Sequence, residues 1–292
     1  MLSLAPERVV IIGNLSEDPF AIDVGHQFGQ VHDLSDLIAL SAYANSEFCP
    51  RFISDEGDFS LIGRRLEGLT VVIVSTTSDR HTRQSLAMRN LILARAAKDN
   101  GAERVVLLEP DLFYSAQDRG PRPEHVRPLR ERSPEDRKKF DGQAFSSLLY
   151  AELLKTAGVD AVVTVHNHSH SVQSVFSQVF DGGFHNLLPA ELYADYLRRS
   201  SMVDPGPEGE NLVVCAPDRG AVEFTELMRG KLGLPKVGLC LMSKQRSGER
   251  QVSIGVTGKS TPDGRGEMEG TALVGKLSLF FKASLRFLET VD

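Results

Sequence analysis

Short apolar runs rich in β-branched residues recur along this chain, with helical stretches between them. Runs of this kind are typical of parallel strands that are buried on both faces. An alternation of such strands with helices predicts a doubly wound α/β fold. The predicted strands are Arg8–Gly13, Thr70–Thr76, Arg104–Glu109, Val159–Val165, Leu212–Ala216, Val237–Met242 and Val252–Val256.

The clearest predicted helix runs from Thr82 to Asn100, and Asn100 with Gly101 is a typical C-terminal stop. The strand pattern repeats after the Gly182-Gly183 break. We therefore expect two domains, at residues 1–183 and 184–292. The inward-facing stripe of the predicted helix consists of Leu86, Asn90, Leu93, Ala94 and Ala97.

The composition argues against several classes of protein. The 292 residues carry a net charge of −6, which is unlike a surface that tracks nucleic-acid phosphates. No apolar run approaches the length of a membrane span, and no basic and apolar leader precedes the first strand, so we expect no membrane association. The three scattered cysteines favour reduced thiols in the cytoplasm over a disulfide framework.

In open α/β sheets, ligands bind outside the carboxyl ends of the strands, so the segments that follow the strands are candidate sites. One such segment holds His166, His168 and His170. Alternate residues of an extended chain share a face, so these histidines could converge on a metal or a polyphosphate. A solvated strand end, in which at most one histidine is used, is the alternative. The other segments are 111–119, 217–220 and 243–250.

Two of these segments carry groups suited to a nucleotide. Gln117, Asp118 and Arg119 offer an amide, a carboxylate and a guanidinium, which together can read a purine edge and hold a phosphate. Asp218 could share a metal–triphosphate site with His168, because Mg²⁺ commonly takes one or two carboxylates together with phosphates and water. An Asx-turn or a helix N-cap is the alternative role for Asp218.

The segment after the last long strand holds three cations, Lys244, Arg246 and Arg250, with Gly248 among them. We expect a mobile loop that closes over a transferring phosphoryl group, where these cations stabilise spread negative charge. The alternative is a solvated hairpin turn.

Taken together, these segments resemble the ribose-phosphate pyrophosphokinases, or PRPP synthetases, in order and spacing, from about Val9 to Val274. The resemblance implies two tandem phosphoribosyltransferase-type (type I) domains with mainly parallel sheets. It also implies transfer of the diphosphoryl group of Mg·ATP to the 1-hydroxyl of ribose 5-phosphate, which forms PRPP for nucleotide biosynthesis. The motifs that carry it are Phe113–Arg119, His168 with Gln173 and Phe176, Pro217–Gly220, Lys244–Arg246, Arg51–Glu56 and Gly266–Gly270.

The resemblance implies that five residues hold ATP. Phe52 and Asp55 would form part of the adenine site across a subunit interface. The expected assembly is therefore a homo-oligomer or a complex with a homologous synthetase. The remaining three, Gln117, Asp118 and Arg119, would contact ATP within the subunit.

The resemblance also assigns the metal and the catalytic groups. His168 and Asp218 would serve the Mg²⁺–ATP unit, so Mg²⁺ is the expected cofactor. Lys244 and Arg246 would stabilise the transferring group and are the expected catalytic residues.

The chain departs from the family pattern at several points. Ala116 stands where the family has an arginine that contacts ATP, and His166 stands where it has an aspartate. Residues 124–139 form an arginine-rich expansion, either a replacement phosphate contact or a solvated excursion. After Val274 the Gly/Thr-rich loop that grips the 5-phosphate is replaced by a pattern typical of a short apolar helix, so we expect a truncated second domain and weak ribose 5-phosphate binding. The helical stripe consists of Leu277, Phe280, Phe281, Leu285 and Leu288.

Two other functions are consistent with the sequence. A catalytically silent homologue would bind nucleotide and assemble with an active synthetase, and the missing loop favours it. A metal hydrolase would use His166, His168 and His170, but no acidic ligand has matching spacing. Retention of Lys244 and Arg246 favours the diphosphokinase.

Overall fold

The computed structural model describes residues 5–54, 57–122, 132–167, 169–200, 204–216, 219–246, 252–256 and 277–280. The chain divides into two compact units, Met1–Leu187 and Leu188–Asp292. Each unit combines helices with a mainly parallel sheet, which confirms the predicted α/β class. The assignment of one domain to residues 1–183 and another to 184–292 stays a prediction.

Five parallel strands form the sheet of the N-terminal unit. Apart from the edge strand at Phe184–Leu187, these strands bury apolar side chains at successive positions, as the β-branched runs predict. A separate two-stranded antiparallel ribbon consists of β2 (Ile38–Ala42) and β3 (Phe48–Phe52). In their order across the sheet, the five strands are β1 (Val9–Gly13), β4 (Thr70–Val74), β5 (Arg104–Leu108), β6 (Ala161–Val165) and β7 (Phe184–Leu187).

The helices of this unit bury apolar residues against the sheet. One core cluster joins the sheet to α3 (Arg83–Asp99), α5 (Ser146–Ala157) and α6 (His170–Phe180). A second cluster, built from the alternate strand residues, joins it to α1 (Pro19–Gln27) and to α2 (Leu34–Leu37). Successive residues of a strand point to opposite faces, so the two clusters lie on opposite sides of the sheet. A short helix, α4 (Pro134–Lys138), lies near the end of the arginine-rich expansion.

Helix α3 confirms the predicted helix and its ends. Thr82 caps it, because the Thr82 Oγ1 accepts a hydrogen bond from the Ser85 amide at 3.2 Å. The helix ends at Asn100, and Gly101 follows with a φ of +90°, which favours glycine. All five residues of the predicted inward-facing stripe are buried.

The C-terminal unit has a four-stranded sheet in the order β10-β9-β8-β11, of which only the β10–β9 pair is antiparallel in the described part. The strands are β8 (Leu212–Ala216), β9 (Gly238–Arg246), β10 (Val252–Val256) and β11 (Leu277–Phe280). Helices α7 (Ala190–Arg199) and α8 (Val222–Leu232) pack against one face of β8.

Two predictions about this unit are wrong. Lys244 and Arg246 lie within strand β9, paired with Ile254 and Val252, and not in a loop after the strand. Residues 247–251, where the alternative of a solvated hairpin turn would fall, lie outside the described residues. Leu277–Phe280 form a strand parallel to β8 and not the start of a helix. Pairing with a buried strand overrides a periodicity that four residues express only weakly.

Some elements had no prediction. The ribbon has mostly exposed or half-buried residues and includes Pro50, and β7 includes His185 and Asn186. Neither shows the apolar run of a central strand. Among the described residues, no helix combines the length and apolarity that crossing a membrane requires.

Candidate functional site

Asp118 joins the segment after β5 to the segment after β6. It is 9% exposed, and its Oδ2 accepts a hydrogen bond from the Ser169 Oγ at 2.5 Å. Its backbone oxygen accepts another from the Ser171 Oγ at 2.6 Å. Ser169 also caps α6 through the Val172 amide, at 3.3 Å. The carboxylate predicted to contact ATP is therefore fixed against Ser169, and it connects the segments that follow two neighbouring strands.

The backbone around Gln117 is held by a set of short hydrogen bonds. The Gln117 amide donates to the Tyr114 oxygen at 3.0 Å, and the Ser147 Oγ donates to the same oxygen at 2.7 Å. The Ser147 amide donates to the Gln117 oxygen at 3.3 Å. Tyr114 has a φ of +58°, so the chain turns sharply before the predicted ATP residues. The side chain of Gln117 is exposed and available to a ligand.

Arg119 lies over the ring of Phe140, with its guanidinium carbon 4.9 Å from the ring centroid. Arg132 lies 5.1 Å from the same centroid and is almost fully buried, with 4% of its side chain exposed. Arg132 donates to the Gly120 oxygen at 2.7 Å and to the Asp136 carboxylate at 2.7 Å. The Arg132 bond lowers the pKa of Asp136. Arg132 thus packs beside Arg119 and Gly120, whereas most of the residues from Ser133 to Lys139 are exposed to solvent.

His166 and His170 do not continue an extended strand, so the predicted shared face is wrong for these two histidines. His166 follows β6 with a φ of +49°, and His170 begins α6. The chain therefore changes direction between them. Burial lowers the pKa of His166. His168 lies outside the described residues.

The other predicted site residues are only partly described. Phe52 ends β3 with 6% exposure inside the main core, so its predicted adenine contact would require the ring to become accessible. Asp55 and Asp218 lie outside the described residues. Of Lys244 and Arg246 only the backbone course is described. Where the chain is described, no three histidine, cysteine or carboxylate side chains form a cluster that could hold a metal.

A buried polar network next to this site was not predicted from the sequence. Glu109, directly after β5, is fully buried and accepts hydrogen bonds from Ser75, Asn90, Tyr150 and the Phe113 amide. Burial raises the pKa of Glu109 to about 7, against the lowering effect of these bonds. Two features of the sequence could have indicated this network. One is the carboxylate of Glu109 at the end of an apolar strand, and the other is Asn90 on the inward-facing stripe of a helix.

A cavity of about 1240 Å³ lies between the β2–β3 ribbon and the start of α3. Arg89 lines it, with its guanidinium carbon 4.3 Å from the centroid of the Phe48 ring and its Nη1 3.1 Å from the His81 Nε2. None of the predicted site residues lines this cavity. The segments after β5 and β6 therefore remain the candidate site.

Comparison with known proteins identifies relatives over part of the chain, although no family model matches it. The "Ribose-phosphate pyrophosphokinase 1" of Streptococcus pyogenes serotype M1 is 31% identical over 160 residues, which cover 55% of this chain and 41% of that protein. The "Ribose-phosphate pyrophosphokinase" of Mycobacterium tuberculosis is 34% identical over 146 residues, 50% of this chain and 36% of the relative. The match thus spans less than half the length of these relatives.

The fold has a counterpart among solved structures. The crystal structure of phosphoribosylpyrophosphate synthetase from Mycobacterium smegmatis superimposes with a TM-score of 0.58 and 22% identity, over 86% of this chain and 68% of that one. This likeness confirms the predicted phosphoribosyltransferase-type fold. Over about half its length the chain is similar in sequence to proteins named ribose-phosphate pyrophosphokinase, and its fold is similar to that of a phosphoribosylpyrophosphate synthetase.

Proposed function

We propose that this protein is a ribose-phosphate diphosphokinase that transfers the diphosphoryl group of Mg·ATP to ribose 5-phosphate. The observation that carries the proposal is the bond between the Asp118 carboxylate and Ser169. It joins the segment that holds the predicted ATP residues to Ser169, in the segment that follows β6. Both segments follow adjacent parallel strands, where α/β sheets bind their ligands.

Arg119 supports the nucleotide role. Its side chain is 46% exposed and is held by the Phe140 ring and by a 3.6 Å contact between its Nε and the Asp118 Oδ1. A guanidinium held on both sides in this way can bind a phosphate with little further loss of conformational entropy. Its neighbour Gln117 is exposed and offers both an amide donor and an acceptor to a base.

Mg²⁺ fits the chemistry of the proposed donors only in part. A carboxylate such as Asp218 is a ligand that Mg²⁺ prefers, whereas the nitrogen of His168 is a softer one. Together with the phosphates of ATP they would hold the ion, which supplies neutralisation of the phosphoryl charge. Asp118, already bonded to Ser169, would orient the segment rather than bind the ion.

In the proposed transfer, the 1-hydroxyl of ribose 5-phosphate attacks the β-phosphorus of ATP. A bond forms between this hydroxyl oxygen and the β-phosphorus, the bond from the β-phosphorus to the oxygen that bridges it to the α-phosphorus breaks, and AMP leaves with that oxygen. The hydroxyl proton passes to solvent. Lys244 and Arg246 would stabilise the charge that spreads over the phosphoryl oxygens.

Calorimetric titration of Mg·ATP tests the binding half of the proposal. We expect saturable binding by the parent chain, and weaker binding by Asp218→Ala because a metal-facing carboxylate is lost. Unchanged affinity in the variant would remove Asp218 from the site. No binding by the parent would refute the proposed function.

An assay of AMP release that depends on ribose 5-phosphate tests the transfer. Lys244→Ala and Arg246→Ala should each lower kcat by about a hundredfold with little change in ATP affinity, since such groups act mainly in the transition state. Lys236→Ala is the matched control, because Lys236 lies just before β9 and pairs with the exposed Glu208. Parental turnover in the two test variants would refute their role. Intact ATP binding without turnover in the parent would instead favour the catalytically silent homologue.

A further inference from the structure

Glu109 is a buried carboxylate that the proposed transfer does not use, yet it touches four structural elements. Its Oε1 accepts hydrogen bonds from the Ser75 Oγ at 2.9 Å, the Asn90 Nδ2 at 2.9 Å and the Tyr150 hydroxyl at 3.1 Å. Its Oε2 accepts one from the Phe113 amide at 2.8 Å. The first three donors come from the end of β4, from α3 and from α5, and the fourth belongs to the proposed ATP segment.

No cation compensates the charge of this carboxylate within the described part of the chain. The titratable groups that face it are Tyr150 from α5 and Asp111 on the following segment. Tyr114 lies behind Tyr150, with their ring centroids 5.4 Å apart. Burial raises the pKa of Glu109 to about 7, so both protonation states are populated near neutral pH.

We propose that Glu109 is a positioning residue for the 111–119 segment, which it holds through the Phe113 amide, and that its ionised form presents the ATP residues more firmly. The ATP role rests on the proposed function. Direct contacts along the chain connect the Phe113 hydrogen bond to Gln117. Phe113 is fully buried, Tyr114 follows in a left-handed conformation, and the Tyr114 oxygen receives the Gln117 amide at 3.0 Å.

We expect a second arrangement of the network, because Asn90 carries a buried amide oxygen that accepts no hydrogen bond from any described residue. A proton on the Glu109 Oε2 would face the Phe113 N–H, so protonation favours Oε1. If the Asn90 amide group then rotates so that its oxygen and nitrogen exchange places, the oxygen accepts a hydrogen bond from the protonated Glu109 Oε1. It thereby gains the partner that it lacks. The Phe113 N–H is now held by a neutral oxygen, and its bond weakens relative to the charge-assisted one.

Amide hydrogen exchange on the ligand-free chain tests the positioning without any nucleotide. After correction for the intrinsic pH dependence of exchange, protection of Phe113 to Arg119 should rise between pH 6 and pH 8 in the parent. Glu109→Gln keeps the shape and mimics the protonated form, so its protection should stay at the low-pH level. A parent profile without this rise, or the same rise in Glu109→Gln, would overturn the inference.

Tyr150→Phe separates positioning from a merely structural role. It removes one donor that stabilises the ionised carboxylate and leaves the Phe113 bond in place, so the midpoint of the protection profile should move to higher pH. A structural defect would lower protection at every pH without moving the midpoint, and that result would also count against the proposal. Circular dichroism of both variants verifies that they fold.

Calorimetry with Mg·ATP then relates the segment to the nucleotide. At pH 8, Glu109→Gln should bind Mg·ATP about fivefold more weakly than the parent, and the difference should vanish at pH 6, where the parent is protonated too. Equal affinities at pH 8 would overturn the inference and leave the proposed function intact. If the exchange results hold but the parent binds no Mg·ATP, the proposed function fails while the hold of Glu109 on the segment stands.

Discussion

Replacing Ser169 by alanine deletes one oxygen atom, the Ser169 Oγ, and thereby removes two hydrogen bonds. The Ser169 Oγ accepts from the Val172 amide, which caps α6, and donates to the Asp118 carboxylate. The alanine variant leaves the backbone course unchanged, so the lost free energy reflects these two contacts. We expect this variant to be markedly less stable than a variant that loses a cap alone.

The magnitude follows from the two partners. Loss of a serine N-cap costs about 1 kcal/mol. Asp118 is only 9% exposed, so its Oδ2 would be left without its short 2.5 Å donor, at a cost of about 2 kcal/mol. The expected loss for Ser169→Ala is therefore about 3 kcal/mol, a large fraction of the stability of an ordinary domain.

Urea unfolding followed by circular dichroism measures this loss in the transition of the N-terminal unit. Thr82→Ala is the matched control, because the Thr82 Oγ1 caps the core helix α3 through the Ser85 amide, at 3.2 Å, and should cost about 1 kcal/mol. A double-mutant cycle with Asp118→Asn should show a coupling of about 1 to 2 kcal/mol. If Ser169→Ala destabilises no more than Thr82→Ala and the cycle shows no coupling, the reasoning that ties the two segments together is refuted.

Three further changes give distinct outcomes. Arg132→Ala should lower the free energy of unfolding by about 2 kcal/mol, because it leaves the Gly120 oxygen and the Asp136 carboxylate without their donor. The control Lys138→Ala should leave the urea midpoint unchanged, because the Lys138 side chain is 78% exposed and pairs only with the exposed Asp141. The folded pKa of Glu109, about 7, lies above the ordinary 4.5, so its contribution to stability is fully present below pH 4.5 and is lost as the pH rises to about 7. This loss amounts to about 3 kcal/mol, and Glu109→Gln should abolish it when unfolding is compared at pH 5 and pH 8. Gly209→Ala should destabilise the C-terminal unit, because Gly209 has a φ of +88° and an added Cβ would lie 2.6 Å from the Val237 Cγ2. If the variant unfolds at the same temperature as the parent, the packing described around Gly209 is contradicted.

The central strands and the long helix were predictable because their signals are local. The run of β8 and the stripe and caps of α3 are properties of consecutive residues, and the structure reproduces them. The end of β9 at Arg246 and the strand at Leu277–Phe280 were not predictable, since both depend on pairing with a partner strand distant in sequence.

The site shows the same division. The position of the Gln117–Arg119 run after a strand followed from the general rule for α/β sheets. The hydrogen bond from Ser169 to this run, and the contacts of Arg119 and Arg132 with the Phe140 ring, depend on the pairing of separate segments. Three histidines at alternate positions suggested a shared face, but His166 has a left-handed backbone conformation that interrupts the extended chain. This conformation was not predictable, because the residue there is not a glycine.

The strand orders of the two sheets have a consequence for synthesis on the ribosome. In the N-terminal unit β5, β6 and β7 each pair with the strand made just before them, so that sheet can grow as the chain emerges. In the C-terminal unit β8 lies between β9 and β11, both of which are made later. Until residues 277–280 have left the ribosome, the apolar β8 exposes an unpaired edge that invites non-native association. We therefore expect the nascent chain to need protection, by a chaperone or by slow release, during the second half of its synthesis and not the first.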